Sequence, residues 1–129
     1  MSNILIPGAV GELIDKITIL EIKAERMSNP EQLKNIRHEL ALLEQTRREH
    51  GLEGVALEEK TQSLKTINAE LWVIEDDIRD CERAKDFGLR FVELARAVYM
   101  TNDRRATVKR ELNTLFGSTI FEEKSYAAY

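Results

Sequence analysis

The segment from Gly11 to Met27 carries apolar residues on two sides of a predicted helix. Ile19 and Ile22 form one side. The opposite stripe follows a spacing of three or four residues and comprises Leu13, Ile17, Leu20, Ala24 and Met27. A helix with a single buried face does not need apolar residues on both sides. We therefore predict a central helix that other elements cover on more than one flank.

Two further apolar stripes predict a second helix from Pro30 to about His50 and a third from about Leu57 to Lys85. Asn29 is a favourable N-cap and Pro30 suits the first helical position. The short loop that begins at Gly51 favours antiparallel neighbours, so we predict a long coiled-coil-like hairpin of helices 2 and 3. Its register pairs Leu43 with Leu64, Leu40 with Ile67 and Ile36 with Leu71.

The apolar spacing resumes at Phe87 and continues to Leu115. The triplet Thr101-Asn102-Asp103 is either an N-cap that divides this segment into two helices or a polar patch within one helix. Ile4 to Ile6 can form a short strand or an extended arm, and the apolar residues of the tail, 118–129, are expected to anchor it to the bundle. The predicted fold class is all-α: an antiparallel bundle of four to five helices with short extended terminal segments, forming a single domain over residues 1–129.

The composition fits a small helical protein and limits its partners. The chain has 129 residues, of which 43% are hydrophobic and 33% charged, with a net charge of −4. This charge argues against general binding to nucleic acid or to anionic membranes. The single cysteine, Cys81, excludes an internal disulfide and indicates a reducing compartment. Neither a membrane-spanning run of about 18 apolar residues nor a signal peptide is recognisable, so we expect a cytoplasmic protein.

The sequence contains no recognisable metal or cofactor motif. His38, His50 and Cys81 do not share the spacing of a metal site. The glycines before the first helix lack the lysine and hydroxyl residue of a P-loop, and a nucleophile elbow is missing. We therefore expect neither a metal nor a cofactor.

Arg105 is the polar residue most out of place, because it occupies an apolar position of the 87–116 stripe. It either reaches solvent past the bundle or points inward, where a guanidinium needs a carboxylate partner. Glu70 is the first choice of partner if helices 3 and 4 are antiparallel, and Asp15 beside the second apolar flank of helix 1 is the other.

An anion site is the alternative interpretation of the same region. Asn102, Arg105 and Lys109 share one side of a helix, and a new helix start there would add free backbone N–H groups. The candidate ligand-binding residues are thus Asp15, Asn102, Arg105 and Lys109.

Trp72 forms an apolar patch with Ala69 and Val73, away from the main stripe of helix 3. The patch either covers helix 1 or the tail, or marks a subunit interface. We interpret these three residues as a candidate interface. Together with helices longer than a monomer of this size needs, they predict a homodimer, with an unknown protein as the other kind of partner.

Three motifs resemble those of a family of small bacterial helical proteins of unknown function. They are GELIDKITILEIKAER near the start, IEDDIRDCE with DFGLRFVELARAVY in the middle, and TNDRRATVKREL with GSTIFEEKSYAAY at the end. The resemblance covers nearly the whole chain and implies a bacterial source. It implies no activity, ligand or catalytic residue.

A second, local resemblance is to the first helix of the all-helical chorismate mutases. It rests on Ile14, Asp15, Ile17, Leu20 and Arg26. At the position of that family's active-site arginine this chain has Gly11, so the dicarboxylate-binding cation is missing and the chorismate mutase interpretation is disfavoured.

The sequence favours a non-enzymatic interaction or assembly module, because it has long apolar stripes and no catalytic constellation. The alternative is a protein or enzyme that binds a small anionic ligand around Arg105 and Asp15. A closed pocket lined by perturbed titratable groups would favour the alternative, and a broad apolar patch would favour the first.

Overall fold

The computed structural model describes residues 3–129 and contains four helices and no strand in that range. The helices are α1 (Val10–Arg26), α2 (Pro30–Glu49), α3 (Val55–Arg83) and α4 (Leu89–Leu115). The all-helical class and the bundle are therefore confirmed. Met1 and Ser2 lie outside the described residues. None of the described helices is both long enough and apolar enough to cross a membrane.

Helix α1 is the centre of the bundle, as its two apolar sides predicted. It packs against α2, α3 and α4. Ile17 and Leu20 on one side and Ile22 on the other are buried, and the core cluster joins Ile14 and Ile17 of α1 to residues elsewhere in the chain: Leu52, Leu57, Leu64 and Leu112.

The predicted hairpin of the second and third helices is wrong. Helix α2 packs against α1, while α3 packs against α1 and α4. The two-sided apolar surface of α1 explains this difference, because α1 packs against α2, α3 and α4 at once. Asn29 caps α2 as expected, with its Oδ1 accepting a hydrogen bond from the Gln32 N–H at 3.1 Å.

The long hairpin in this fold is instead formed by α3 and α4. A turn at residues 84–88 joins them, and Lys85 adopts a left-handed φ of +55° there. Helix α4 is continuous through Thr101-Asn102-Asp103, so the alternative of two helices in 87–116 is wrong. The side chain of Thr101 is buried, and a threonine hydroxyl can be accommodated inside a helix without an N-cap.

The hairpin extends past the end of α1. The guanidinium of Arg26, the last residue of α1, lies 6.0 Å from the Trp72 ring centroid. Beyond this level, residues 73–99 of the hairpin form what we call the distal arm, and α2 packs against neither α3 nor α4. Phe87 and Phe91 stack edge to face near its tip, with ring centroids 5.3 Å apart, and Cys81 is a buried free thiol.

The C-terminal tail runs back along α4 without helix or strand. Arg110 holds it twice, through the carboxylate of Glu123 at 3.2 Å and the ring of Phe121 at 4.9 Å. Tyr129 meets Tyr99 with a centroid distance of 5.3 Å. The segment before α1 is also neither helix nor strand, and Ile4, Leu5 and Ile6 are exposed.

Gly11 sets the closest approach of α1 to α4. A Cβ at this position would lie 2.4 Å from the backbone oxygen of Lys109 and 2.8 Å from Asn113 Oδ1. The same Oδ1 accepts a hydrogen bond from the Gly11 N–H at 2.7 Å, and Ser118 Oγ accepts one from the Val10 N–H at 3.1 Å. The first turn of α1 is thus capped by side chains from the far end of the chain.

We predict that Gly11→Ala destabilises the fold by about 1–3 kcal/mol, because the new methyl group has to displace the α4 backbone. This cost exceeds the roughly 1 kcal/mol of helix propensity that alanine gains over glycine. Urea unfolding followed by circular dichroism measures it. Gly8→Ala is the control: its Cβ would meet only the Ile6 oxygen, at 3.9 Å. Equal stability of Gly11→Ala and the parent chain would contradict the close contact.

Candidate functional site

Asp15 and Arg105 form a two-point ion pair between α1 and α4. Arg105 Nε donates to Asp15 Oδ1 at 2.9 Å, and Arg105 Nη2 donates to Asp15 Oδ2. The Asp15 side chain is 4% exposed and that of Arg105 is 28% exposed. Asp15 was the second choice of partner from the sequence. The first choice is wrong, because Glu70 pairs with Arg104 at 2.7 Å on the surface of the α3–α4 hairpin.

The remaining polar atoms around Asp15 are provided by α1 and α3. Asn68 Nδ2 donates to Asp15 Oδ1 at 2.9 Å and to Thr18 Oγ1 at 3.0 Å. The Thr18 hydroxyl donates in turn to the Asp15 backbone oxygen at 2.7 Å. Asn68 and Thr18 are both buried. Sequence reasoning missed both residues as members of the network.

Arg105 remains positively charged in this environment. The hydrogen bonds that the guanidinium donates to Asp15 raise its pKa above its ordinary value, and partial burial opposes this rise. An arginine is protonated at all physiological pH values in any case. The guanidinium of Arg105 is therefore a fixed positive charge beside Asp15 rather than a proton donor or acceptor.

Lys109 lies one helical turn from Arg105 and is surrounded by carboxylates. Its Nζ is 2.8 Å from Glu12, 3.5 Å from Glu122 in the tail and 3.9 Å from Asp15. Two cations thus face three carboxylates in this cluster, so Lys109 has no unpaired charge to offer an anion. Since α4 does not begin at Asn102, the free N–H groups expected for an anion site there are also missing.

Asn102 and Arg105 lie together on an open groove that does not include Lys109. The groove has a volume of about 480 Å³ and lies where α1 ends and the distal arm begins. Ile19, Ile22 and Trp72 provide apolar lining. Arg105 Nη1 and the Asn102 side chain make no hydrogen bond to another described residue.

The three candidate interface residues point in different directions. Trp72 is half-buried beside α1, lines the groove and lies under Arg26. Val73 is exposed and Ala69 is half-buried. The ion pair Glu70–Arg104 fixes the register of α3 against α4. It places Val73 roughly level with Met100, on the same outer side of the hairpin as that pair.

Within residues 3–129, no group of three or more histidine, cysteine, aspartate or glutamate side chains is arranged to hold a metal ion. Gly11, which aligns with the active-site arginine of chorismate mutases, has no space for a side chain against α4. An arginine at that position would require the two helices to separate.

We predict that Arg105→Met lowers the free energy of unfolding by about 3–5 kcal/mol, because it leaves the buried Asp15 carboxylate without its main counter-charge. Adding Asp15→Asn to this variant should recover part of the loss, since a neutral amide can still bond to Asn68 and Thr18. Urea unfolding of the single and double variants measures both effects.

Arg104→Met is the matched control, because it removes only the exposed pair with Glu70. Its expected cost is about 0–1 kcal/mol. Equal losses of unfolding free energy for Arg104→Met and Arg105→Met would show that the buried Asp15–Arg105 pair stabilises the fold no more than the exposed pair does.

The comparisons with known proteins identify a family and no activity. A family model described as "Family of unknown function (DUF6165)" matches residues 5–129. No curated protein and no solved structure matches the chain.

Proposed function

We propose that this chain, which belongs to the family of unknown function, is a non-enzymatic assembly module that associates with a second copy of itself. The family gives no activity, so the proposal is argued from the surface of the protein. The single observation that supports the proposal is an apolar stripe on the outer face of α4, which runs from the distal arm to Met100.

The stripe consists of large apolar side chains on the same side of one helix. Leu89 is 74% exposed, Val92 47% and Met100 40%. Thr101 follows Val92 by about two and a half turns, so it lies on the opposite side of α4, and it is buried. The stripe therefore faces away from the bundle interior. Val73 of α3 flanks it.

The cost of this exposure explains why a partner is expected. Full burial of a large apolar side chain is worth about 1.5–3 kcal/mol, and each residue of the stripe forgoes the part of this that its exposed fraction represents. Three helices pack around α1, whereas the distal arm is built from α3 and α4. A third and a fourth helix, provided by another copy of the arm, would cover the stripe as the helices of a four-helix bundle cover one another.

The charged residues of the candidate site support a structural role over an anion-binding one. Arg105 is bonded to Asp15, and Lys109 has three carboxylates within 4 Å. Both cations contribute to holding α4 and the tail against α1. A cytoplasmic location in a bacterium is part of the proposal, and the free thiol of Cys81 is in keeping with a reducing compartment.

We predict that the parent chain sediments at twice its chain mass of 14.9 kDa and that Val92→Glu shifts it to the monomer. The new carboxylate would be buried without a partner in the dimer but solvated in the monomer. Val55→Glu is the matched control, because Val55 is also exposed on a long helix but lies outside the distal arm. A monomeric parent chain, or a dimer that Val92→Glu leaves intact, would contradict the proposal.

A second candidate function is the binding of a small aromatic carboxylate in the groove beside Trp72. The specific observation in its favour is that Arg105 Nη1 and the Asn102 amide are unused donors above an apolar lining. Asp15 fixes the guanidinium by its other edge, so the donors are held in place before a ligand arrives. Such pre-organisation lowers the entropic cost of binding.

Trp72 is the only tryptophan in the chain, so its fluorescence reports on this groove. We predict a saturable change with benzoate, at a dissociation constant on the order of 1 mM, and weaker binding of benzylamine and benzyl alcohol. Asn102→Ala should weaken the benzoate response. No saturable change with benzoate, or tighter binding of benzylamine, would exclude this second candidate.

A further inference from the structure

We propose that two copies associate through the outer face of α4 in an antiparallel manner about a two-fold axis midway between Glu93 and Arg96, with Glu93 of each copy bonded to Arg96 of the other. This inference rests on the proposed self-association and adds its geometry. In this geometry the outer face of α4 is complementary to itself, so a second copy can pair both its charged and its apolar residues.

The first observation is the order of residues along the stripe. Leu89, Glu93, Arg96 and Met100 follow one another at steps of four, three and four residues. This is the spacing of residues on one face of a helix that packs against another helix. The face extends over about 17 Å at 1.5 Å per residue, with an apolar residue at each end and two opposite charges in the middle.

The second observation is that the two central charges are unused. Glu93 and Arg96 are both exposed, and neither forms an ion pair with another residue in the range 3–129. Their neighbours on α4 differ: Arg90 lies 3.9 Å from Asp77 of α3, and Arg104 lies 2.7 Å from Glu70. Arginines that face α3 are therefore paired within the chain, whereas Arg96 on the outer face is available to a partner.

Antiparallel pairing about the centre of this face gives each of the four residues a suitable residue on the partner to face. Leu89 then faces the partner's Met100, and Glu93 faces the partner's Arg96. The two-fold axis repeats both contacts, because every contact in an isologous interface occurs twice. Val92 lies beside the axis, where both copies bury it.

Other alignments of the same two helices are less favourable. A parallel pairing places Arg96 against the partner's Arg96 and Glu93 against the partner's Glu93. A shift of one heptad in the antiparallel pairing places Glu93 against the partner's Asp103. Like charges in direct opposition are unfavourable, so the charge pattern selects one register as well as one partner. The tail contacts α4 at Tyr99, Asp103 and Arg110 and leaves Leu89 and Met100 exposed.

Charge reversal tests this geometry with the full-length chain. Glu93→Arg gives a copy with two cations at the centre of the face, and Arg96→Glu gives a copy with two anions. We expect each single variant to weaken self-association at least about tenfold, because like charges then meet across the axis. We expect an equimolar mixture of the two to form a heterodimer, since each Arg then meets a Glu. The double variant Glu93→Arg/Arg96→Glu should recover the homodimer.

Sedimentation velocity over a range of concentrations measures each species, and circular dichroism confirms that every variant is folded. Arg37→Glu is the matched control, since it reverses another exposed arginine with no ion pair within residues 3–129, on α2. Recovery of the dimer in the mixture and in the double variant supports the register. Single variants that dimerise as well as the parent chain, or a mixture that stays monomeric, overturn it.

The outcome separates this inference from the proposed function. If Val92→Glu breaks the dimer but the mixed charge variants do not associate, the outer face of α4 is the interface and the antiparallel register is wrong. A parent chain that is monomeric at all concentrations means that the assembly proposal has failed, and the register fails with it.

Discussion

The buried contact between Asp15 and Arg105 is the interaction on which the arrangement of α1, α3 and α4 depends. A carboxylate that is 4% exposed requires compensation for its lost hydration. Arg105 gives it two hydrogen bonds, and Asn68 gives it a third. Three helices thus meet at one side chain. Because each donor must lie within hydrogen-bonding distance, the network fixes the rotation of α4 about its own axis as well as its distance from α1.

That rotation determines what the distal arm presents to solvent. With Arg105 and Thr101 turned inward, the opposite side of the same helix carries Leu89, Val92 and Met100 outward. The apolar stripe and the buried ion pair are therefore two consequences of one helix orientation. A polar contact at one end of α4 sets the surface at the other, because α4 is a single uninterrupted helix of 27 residues.

The start of α1 adds a second constraint on the same pair of helices. Gly11 allows the α4 backbone to approach more closely than any other residue would permit, and Asn113 and Ser118 satisfy the first N–H groups of α1. Lys109, between this contact and Asp15, is bonded to the tail as well as to α1. Asp15, Arg105 and Lys109, which the sequence suggested as part of an anion site, thus connect α1, α3, α4 and the tail.

The apolar periodicity determined the helices themselves and the central place of α1, because an amphipathic pattern reports which sides of a helix are buried. The Asn29-Pro30 start of α2 was equally readable, since capping depends on residues close in sequence. Periodicity does not say which helix covers which side. The stripe of α2 could pair with that of α3 on pattern alone, and only the three-dimensional arrangement placed α1 between them.

The tertiary structure alone also decided the partner of Arg105. Glu70 and Asp15 were both within plausible reach, and the choice depended on a rotation of α4 that local sequence does not encode. The same rotation of α4 brings Arg104 into an ion pair with Glu70. It also exposes the stripe of Leu89, Val92 and Met100 to solvent. Contacts between residues distant in sequence are set by the packing of whole helices, which is why the pattern along the chain predicted the elements and the folded protein determined the site.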